Sequence, residues 1–384
     1  MKKLGKFLSY VLVAVLASVV TLIVNVDDTP KSVQKLGQLE QILTEKFIGE
    51  SDTKVMTDAA ADAMVASLGD RWSYYIPADE YAAYQEQMNN AYVGVGITIR
   101  VLEDGSGIEV IQVAQGGPAE EAGVLAGDVL VKVAGQDITG MTVNAVKDLV
   151  VGDEGTFVSL TFRRGGREVT MEVERRTVET PVGTGQMLTN RVGLITIVNF
   201  DARCADETIA AMETLLEQGA RALIFDVRYN PGGYAHELVE VLDYILPEGD
   251  LFRTVDYAGK ENVDKSDAEC LTGIPMAVLV NGESYSAAEF FAAALREYGY
   301  AIVVGEQTVG KGYFQRSYRL DDGSAVGLSV GKYFTPNGIS LSEEGGLTPD
   351  VPVSVTEEEA FAIYAGTMDP LKDPQIQAAM DALK

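Results

Sequence analysis

Three segments of the chain carry side chains whose type and spacing can do chemistry. In Val278-Leu279-Val280-Asn281-Gly282-Glu283-Ser284-Tyr285-Ser286-Ala287-Ala288-Glu289, a buried-strand pattern runs through small polar residues into a helix. Ser286 therefore stands where a strand delivers a side chain to a helix start, and the unpaired N–H groups and positive dipole there favour a developing oxyanion. That suits a nucleophile, although a serine at this place is also an ordinary N-cap and, taken alone, is more often a cap than a catalyst. Lys311 follows in Val304-Gly305-Glu306-Gln307-Thr308-Val309-Gly310-Lys311-Gly312, between two glycines after an apolar strand. Burial disfavours an ammonium ion, so a lysine tucked inward there can accept a serine's proton. An exposed lysine in a glycine turn is the alternative. The third segment, Phe225-Asp226-Val227-Arg228-Tyr229-Asn230-Pro231-Gly232-Gly233, ends a strand in a glycine pair. Its N–H groups can complete an oxyanion hole or merely turn the chain, and Asp226 and Arg228 read as braces for that loop.

Composition narrows the chemistry further. The chain has one histidine, His236, and two cysteines, so zinc sites built from Cys and His clusters are excluded and an imidazole base would have to be that single residue. No metal and no cofactor are expected. With 57 acidic against 30 basic residues and a net charge of −27, nucleic acid is excluded as a partner. The basic exception is Lys2, Lys3 and Lys6, which precede an uncharged run from Phe7 to Val26 that is followed by Asp27 and Asp28. Twenty helical residues rise about 30 Å, enough to span a hydrocarbon core. The positive-inside bias then places the body of the protein outside the cytoplasm, anchored to the cell membrane by a single pass. A cleaved signal peptide is the competing reading, but no A-x-A site stands out and the apolar run is long for one; either way the body is exported. Cys204 and Cys270 can pair in an oxidising compartment or stay as two free thiols.

The elements that must position these groups follow from texture along the chain. After the membrane segment (1–27), residues 28–91 are helical in pattern, with Leu36, Leu39, Ile42, Leu43 and Phe47 at three- and four-residue spacing. Residues 92–178 change to short alternating apolar runs punctuated by glycine, a small β-rich domain. Residues 179–355 alternate strands and helices, which argues for parallel β-α-β units with sites at the strand ends. The tail, 356–384, is acidic and helical, interrupted at Pro370 and Pro374. The fold class is thus multidomain α/β: an N-terminal transmembrane helix, a helical lead-in, a β-rich module and a mixed α/β core.

Within the β-rich module, Tyr92-Val93-Gly94-Val95-Gly96-Ile97 and the later Gly116-Gly117-Pro118 to Gly127-Asp128 segment resemble a circularly permuted PDZ domain of bacterial proteases. The resemblance implies that Val93, Gly94, Val95 and Gly96 belong to a loop that binds a peptide's terminal carboxylate, beside a strand edge that takes up the peptide. The ordered set Asp-x-Arg-x-Asn-Pro-Gly-Gly, Ser-x-Ser-Ala-x-Glu and Gly-Glu-x-Thr-x-Gly-Lys-Gly-x-x-Gln resembles the signature of the C-terminal processing peptidases. These are PDZ-containing serine endopeptidases with a Ser-Lys dyad, and the likeness extends from Tyr74 to the tail.

By position, the resemblance makes Ser286 the nucleophile, Lys311 the general base, Gln315 the residue that orients the lysine, and the N–H groups of Gly233 and Ala287 the oxyanion hole. It implies cleavage of exported or envelope proteins near unstructured, apolar C-termini. A membrane-anchored PDZ scaffold with an inactive core is the alternative. A homodimer through the lead-in and tail, and an adaptor or regulator, are left open. Tyr285 and Ala288 depart from the usual Ser-Ala-Ser-Ala-Ser-Glu run, and Tyr229 replaces a common asparagine; these departures bear on the subsites nearest the cut. His236 is the rival base, and a surface histidine at a helix start explains it equally well.

Overall fold

The computed structural model describes residues 30–384 apart from 103, 104 and 272. The apolar run from Phe7 to Val26, expected to span a membrane, lies outside the described residues. Among the described residues no helix is long and apolar enough to cross a membrane. The chain divides into two compact units, one ending at Pro77 and one running from Ala78 to Lys384.

The first unit holds α1 (Lys31–Lys46), α2 (Thr53–Ala66) and β1 (Tyr74–Ile76). Asp52 caps α2 by accepting the N–H groups of Lys54 and Val55, and Tyr75 donates to Asp58 at 2.8 Å. The helical spacing of Leu36, Leu39, Ile42, Leu43 and Phe47 does produce α1, yet all five side chains are exposed.

In the second unit, α3 (Tyr81–Met88) leads into β2 (Ala91–Gly94), which pairs with β9 (Arg176–Glu179) as an antiparallel ribbon. Between them lie β3 (Ile97–Val101), β4 (Ile108–Val113), α4 (Pro118–Glu121), β5 (Val129–Val133), β6 (Gln136–Asp137), α5 (Val143–Val150), β7 (Phe157–Arg164) and β8 (Arg167–Glu174). The sheet runs β3-β4-β5-β7-β8 with β6 on β5, so β3 is an edge. Pro118 opens α4 where its missing N–H costs nothing, and Val110, Leu130, Leu160, Phe162 and Val173 fill the module's own core.

The α/β core is β10 (Gly183–Met187), β11 (Val192–Ile197), α6 (Cys204–Glu217), β12 (Ala222–Asp226), α7 (Ala235–Ile245), β15 (Met276–Val280), α8 (Ala287–Glu297), β16 (Ala301–Gly305) and β19 (Val351–Pro352). The strand order is β10-β11-β12-β15-β16-β19, with β11 through β19 parallel and β10 antiparallel at one edge. The near-continuous apolar runs of β12 and β15 are what a parallel sheet covered on both faces requires. Helix α8 is buried from Ala287 to Leu295, apolar there except for Glu289; Phe291 packs edge-on to Phe225, and Phe290 edge-on to Phe252.

A second, antiparallel sheet joins β13 (Gly249–Asp256), β14 (Glu261–Ser266), β17 (Tyr313–Arg319) and β18 (Ala325–Phe334), followed by the short α9 (Leu341–Glu344). The tail forms α10 (Glu357–Tyr364) and α11 (Pro374–Ala382). Pro374, read from sequence as an interruption, instead starts α11: it sits in the first turn, and Asp373 before it accepts the N–H groups of Gln375 and Ile376. Cys204 and Cys270 are free thiols.

Candidate active site

Three neighbouring parallel strands deliver the site. Strand β12 ends at Asp226, β15 at Val280 and β16 at Gly305, and the loops that follow carry Asn230 to Gly233, Ser284 to Ser286 and Thr308 to Lys311. Loops at the carboxyl ends of adjacent parallel strands converge, which is why sites form there in open α/β sheets.

The Ser286 loop is held in a costly shape. Ser286 has φ 60° and ψ −126°, a conformation an L-residue adopts only when its surroundings impose it, at about 1–3 kcal/mol. The imposing contacts are specific: the N–H of Ser286 donates to Glu289 at 2.9 Å, and that of Tyr285 donates to the carbonyl of Asn230 at 3.1 Å. The neighbouring serine has a different task. Ser284 is fully buried, donates its hydroxyl to the Val227 carbonyl at 2.7 Å and accepts the Asn281 N–H at 3.1 Å.

The glycine loop lies directly against this turn. A side chain on Gly232, whose φ is 89°, would place its Cβ 2.7 Å from the Ser286 Cβ and 2.9 Å from the Ala287 nitrogen. A Cβ on Gly233 would fall 2.3 Å from the backbone of Phe200. Asn230 shapes the loop, its amide donating to the Ile197 carbonyl and its Oδ1 accepting the Gly232 N–H, each at 2.8 Å. Of the two glycine N–H groups, that of Gly232 is thus consumed. The N–H groups of Gly233 and Ala287 have no acceptor among the described residues, so both can serve an incoming oxygen.

Lys311 is brought to the same place. Its backbone N–H donates to Glu289 Oε2 at 2.9 Å, the same oxygen that accepts the Ser286 N–H, so the two backbone nitrogens are no farther apart than twice that distance. Its Nζ lies 5.7 Å from the ring centroid of Tyr285, the residue before Ser286. Gln315, on β17, donates its amide to the Tyr313 carbonyl at 3.1 Å and to Ser329 Oγ at 3.0 Å. His236 lies at the exposed start of α7, stacked on Tyr234. Asp226 and Arg228 do brace the glycine loop: the guanidinium donates to both Asp226 oxygens, at 2.8 and 2.5 Å, and pairs with Asp373 at 2.8 Å. Burial works against its charge, and Asp226 and then Asp373 more than offset that, so Arg228 is held firmly as the cation.

Two carboxyl groups that no motif reading assigned a role belong to this region. Glu289 is fully buried, and its bonds link the Ser286 and Lys311 loops. Burial raises its pKa, while bonds from Thr308, Gly310, Lys311 and Ser286 pull it down. Asp201 follows Phe200, which pairs with the glycine loop through Phe200 N–H to Gly232 O at 2.8 Å and Tyr234 N–H to Phe200 O at 2.7 Å. It is 6% exposed, and its Oδ1 has no hydrogen-bond partner among the described residues. Burial, then the charge of Glu237, lift its pKa from 3.8 to about 7. The folded state therefore binds a proton that the unfolded state has released between those values, and stability falls as pH rises through that window. Asp201→Asn is expected to remove this slope. Its thermal midpoint should exceed that of wild type by several degrees at pH 8 and converge with it towards pH 4; parallel curves would contradict the assignment.

A profile described as Peptidase family S41 matches residues 191–353, and one described as PDZ domain matches residues 109–164. The carboxy-terminal processing protease CtpA of Bacillus subtilis is 30% identical over 368 residues, covering 93% of this chain and 78% of its own. The chain belongs to peptidase family S41. A carboxyl-terminal-processing protease of Synechocystis is 30% identical to this S41 peptidase over 349 residues, covering 89% of the chain and 80% of the relative. A crystal structure described as a putative S41 protease from Bacteroides fragilis shares the fold, with a TM-score of 0.55 over 90% of this chain and 97% of that one at 15% identity. This S41 peptidase is accordingly a serine-type peptidase of the carboxy-terminal processing kind with a PDZ domain.

Proposed function

We propose that Ser286 and Lys311 form the catalytic dyad of this peptidase. The amine of Lys311, in its uncharged form, accepts the proton of Ser286, and Oγ attacks the scissile carbonyl. The N–H groups of Ala287 and Gly233 hold the tetrahedral oxyanion, the lysine returns its proton to the leaving amine, and water releases the acyl-enzyme. The observation that carries this reading is the single Glu289 oxygen that receives both the Ser286 and the Lys311 N–H. Gln315 is proposed to orient the lysine on its position in the motif, four residues beyond Lys311. Hydrolysis of an unfolded protein such as casein, and its loss in Ser286→Ala, tests the proposal. A folded Ser286→Ala protein that cleaves as fast as wild type overturns it.

In the same reading, a PDZ domain over residues 92–178 recognises the substrate's tail, ahead of a peptidase core over 179–355. Support comes from β3, an edge strand with Val95 and Gly96 immediately before it, a place suited to strand addition with carboxylate capture; Val93 and Gly94, expected in the same loop, instead lie in β2, paired with Thr177 and Arg176 of β9. Loss of a charge-assisted bond to the carboxylate is worth about 1.5–3 kcal/mol. A peptide with a free apolar C-terminus should therefore show a KM about tenfold or more below that of its C-terminal amide, with kcat little changed; equal KM values would count against PDZ capture. The charge pattern of residues 2–28 supports a body exported and tethered by the Phe7–Val26 segment, with exported proteins as substrates.

A further inference from the structure

Glu289 makes more bonds than a helix cap needs. The Ser286-x-x-Glu289 spacing accounts for one of them, the Ser286 N–H to Oε2. The others cross to a different loop. Oε2 also accepts the Lys311 N–H at 2.9 Å, and Oε1 accepts the Gly310 N–H at 2.7 Å and the Thr308 hydroxyl at 2.5 Å. Thr308 is itself anchored, its Oγ1 accepting the Leu347 N–H at 2.7 Å and its N–H donating to the Leu347 carbonyl at 3.2 Å. All of this is buried: Glu289 is 0% exposed and Thr308 4%. The Glu306 to Gly312 loop has no regular structure of its own, and Lys311 sits in it between Gly310 and Gly312. Ser286, opposite, is held at φ 60°. One direct backbone bond also joins the two loops, Val309 N–H to the Ser284 carbonyl at 3.2 Å, but it lies two residues before Ser286 and two before Lys311, whereas Glu289 holds the backbone nitrogens of both.

We propose that Glu289 is the positioning residue that sets the separation of Ser286 and Lys311, a reading that rests on those two residues being the dyad. Its carboxylate acts through two backbone segments and touches no substrate. Two oxygens that only accept, each shared by two donors, match the ionised acid and no other side chain of that size. Glutamine keeps the shape but turns one oxygen into an NH2 group, which would face two N–H or O–H donors. Alignment of nucleophile and base is where such a change shows, because a displacement of about 1 Å can cost 100-fold in rate while leaving substrate contacts in place.

The test compares Glu289→Gln, Thr308→Val and Thr308→Ser with Ser286→Ala and Lys311→Ala in the full chain, on casein and on a peptide with a free C-terminus. Each variant is first shown to be folded by near-ultraviolet circular dichroism. Glu289→Gln is expected to lose about 100-fold in kcat with KM within about threefold of wild type. Thr308→Val is expected to lose about tenfold in kcat, and Thr308→Ser, which restores the hydroxyl, to recover most of it. A folded Glu289→Gln protein with wild-type kcat, or a loss carried by KM alone, overturns the clamp. If Glu289→Gln does not fold, Thr308→Val decides, and wild-type kcat there overturns it equally. Dead Ser286→Ala and Lys311→Ala proteins beside a wild-type Glu289→Gln would remove the clamp and leave the dyad standing. Activity retained in Ser286→Ala or Lys311→Ala would remove the dyad and the clamp with it.

Discussion

Lys311→Ala is expected to leave a folded protein whose kcat is lower by about 10²–10⁴-fold, the usual contribution of a positioned general base, and Ser286→Ala one with still less turnover. The side chain of Lys311 ends beside Tyr285, while its backbone hangs from Glu289. Truncation removes the amine and leaves that backbone anchor in place, so the Ser286 turn and the N–H groups of Ala287 and Gly233 should persist. Substrate binding should persist with them: KM for a tail peptide is expected to stay within a few fold. The loss should also not be mended by raising pH, since no neighbouring imidazole stands in. His236, the chain's one histidine, is exposed and stacked on Tyr234, so His236→Ala should retain activity within about twofold, far short of the loss a missing base causes. Steady-state kinetics on the three variants checks all of this.

Arg228→Ala is expected to be the most damaging single change to stability. Arg228 ties the end of β12 to the cap of α11, donating to Asp226 and to Gln375 Oε1 and pairing with Asp373, whose own carboxylate caps that helix. Its side chain is 3% exposed and that of Asp373 2%. Removing the cation strands two carboxylates in the interior, a loss of about 3–5 kcal/mol. For a unit of this size that lowers the thermal midpoint by about 5–8 °C. The next residue, Tyr229, donates its hydroxyl to the Ala360 carbonyl and takes the Asn281 oxygen on its N–H, so the glycine loop should loosen along with the tail. Activity at low temperature should fall as well. Combining Arg228→Met with Asp226→Asn and Asp373→Asn removes the stranded charges and should recover part of the midpoint; no recovery would mean that shape rather than charge holds the tail.

Much of the core was legible because its signals are local. The apolar runs at Val192, Ala222, Met276 and Ala301, alternating with amphipathic helices, predict a parallel sheet, and the strands lie within a residue or so of those runs. The antiparallel sheet of β13, β14, β17 and β18 is hard to read from sequence because its strands are mostly half-exposed; only β18, with Val326, Leu328 and Val330 alternating with Gly327, Ser329 and Gly331, carries a strand pattern, and its glycines blur even that. Pro374 misled because a proline breaks a helix interior but is welcome in a first turn, and only Asp373 ahead of it marks the difference. Glu289 shows how much of a site pattern can hide. Its spacing from Ser286 reveals a capping box, whereas its bonds to Thr308, Gly310 and Lys311 span about twenty residues and exist only once α8 packs beside the β16 loop. Asp201 left no trace at all, because burial without a partner is a property of the fold and not of a motif.

The central claim, that Ser286 is the nucleophile and Lys311 activates it, is tested most directly by covalent trapping. A fluorophosphonate reacts with an activated serine, and its site and rate can be followed by mass spectrometry of the intact and digested protein. The account predicts one adduct on Ser286, none on Ser284, and a labelling rate in Lys311→Ala lower by at least about 100-fold. An adduct elsewhere, or labelling of Ser286 at the wild-type rate without Lys311, would contradict it.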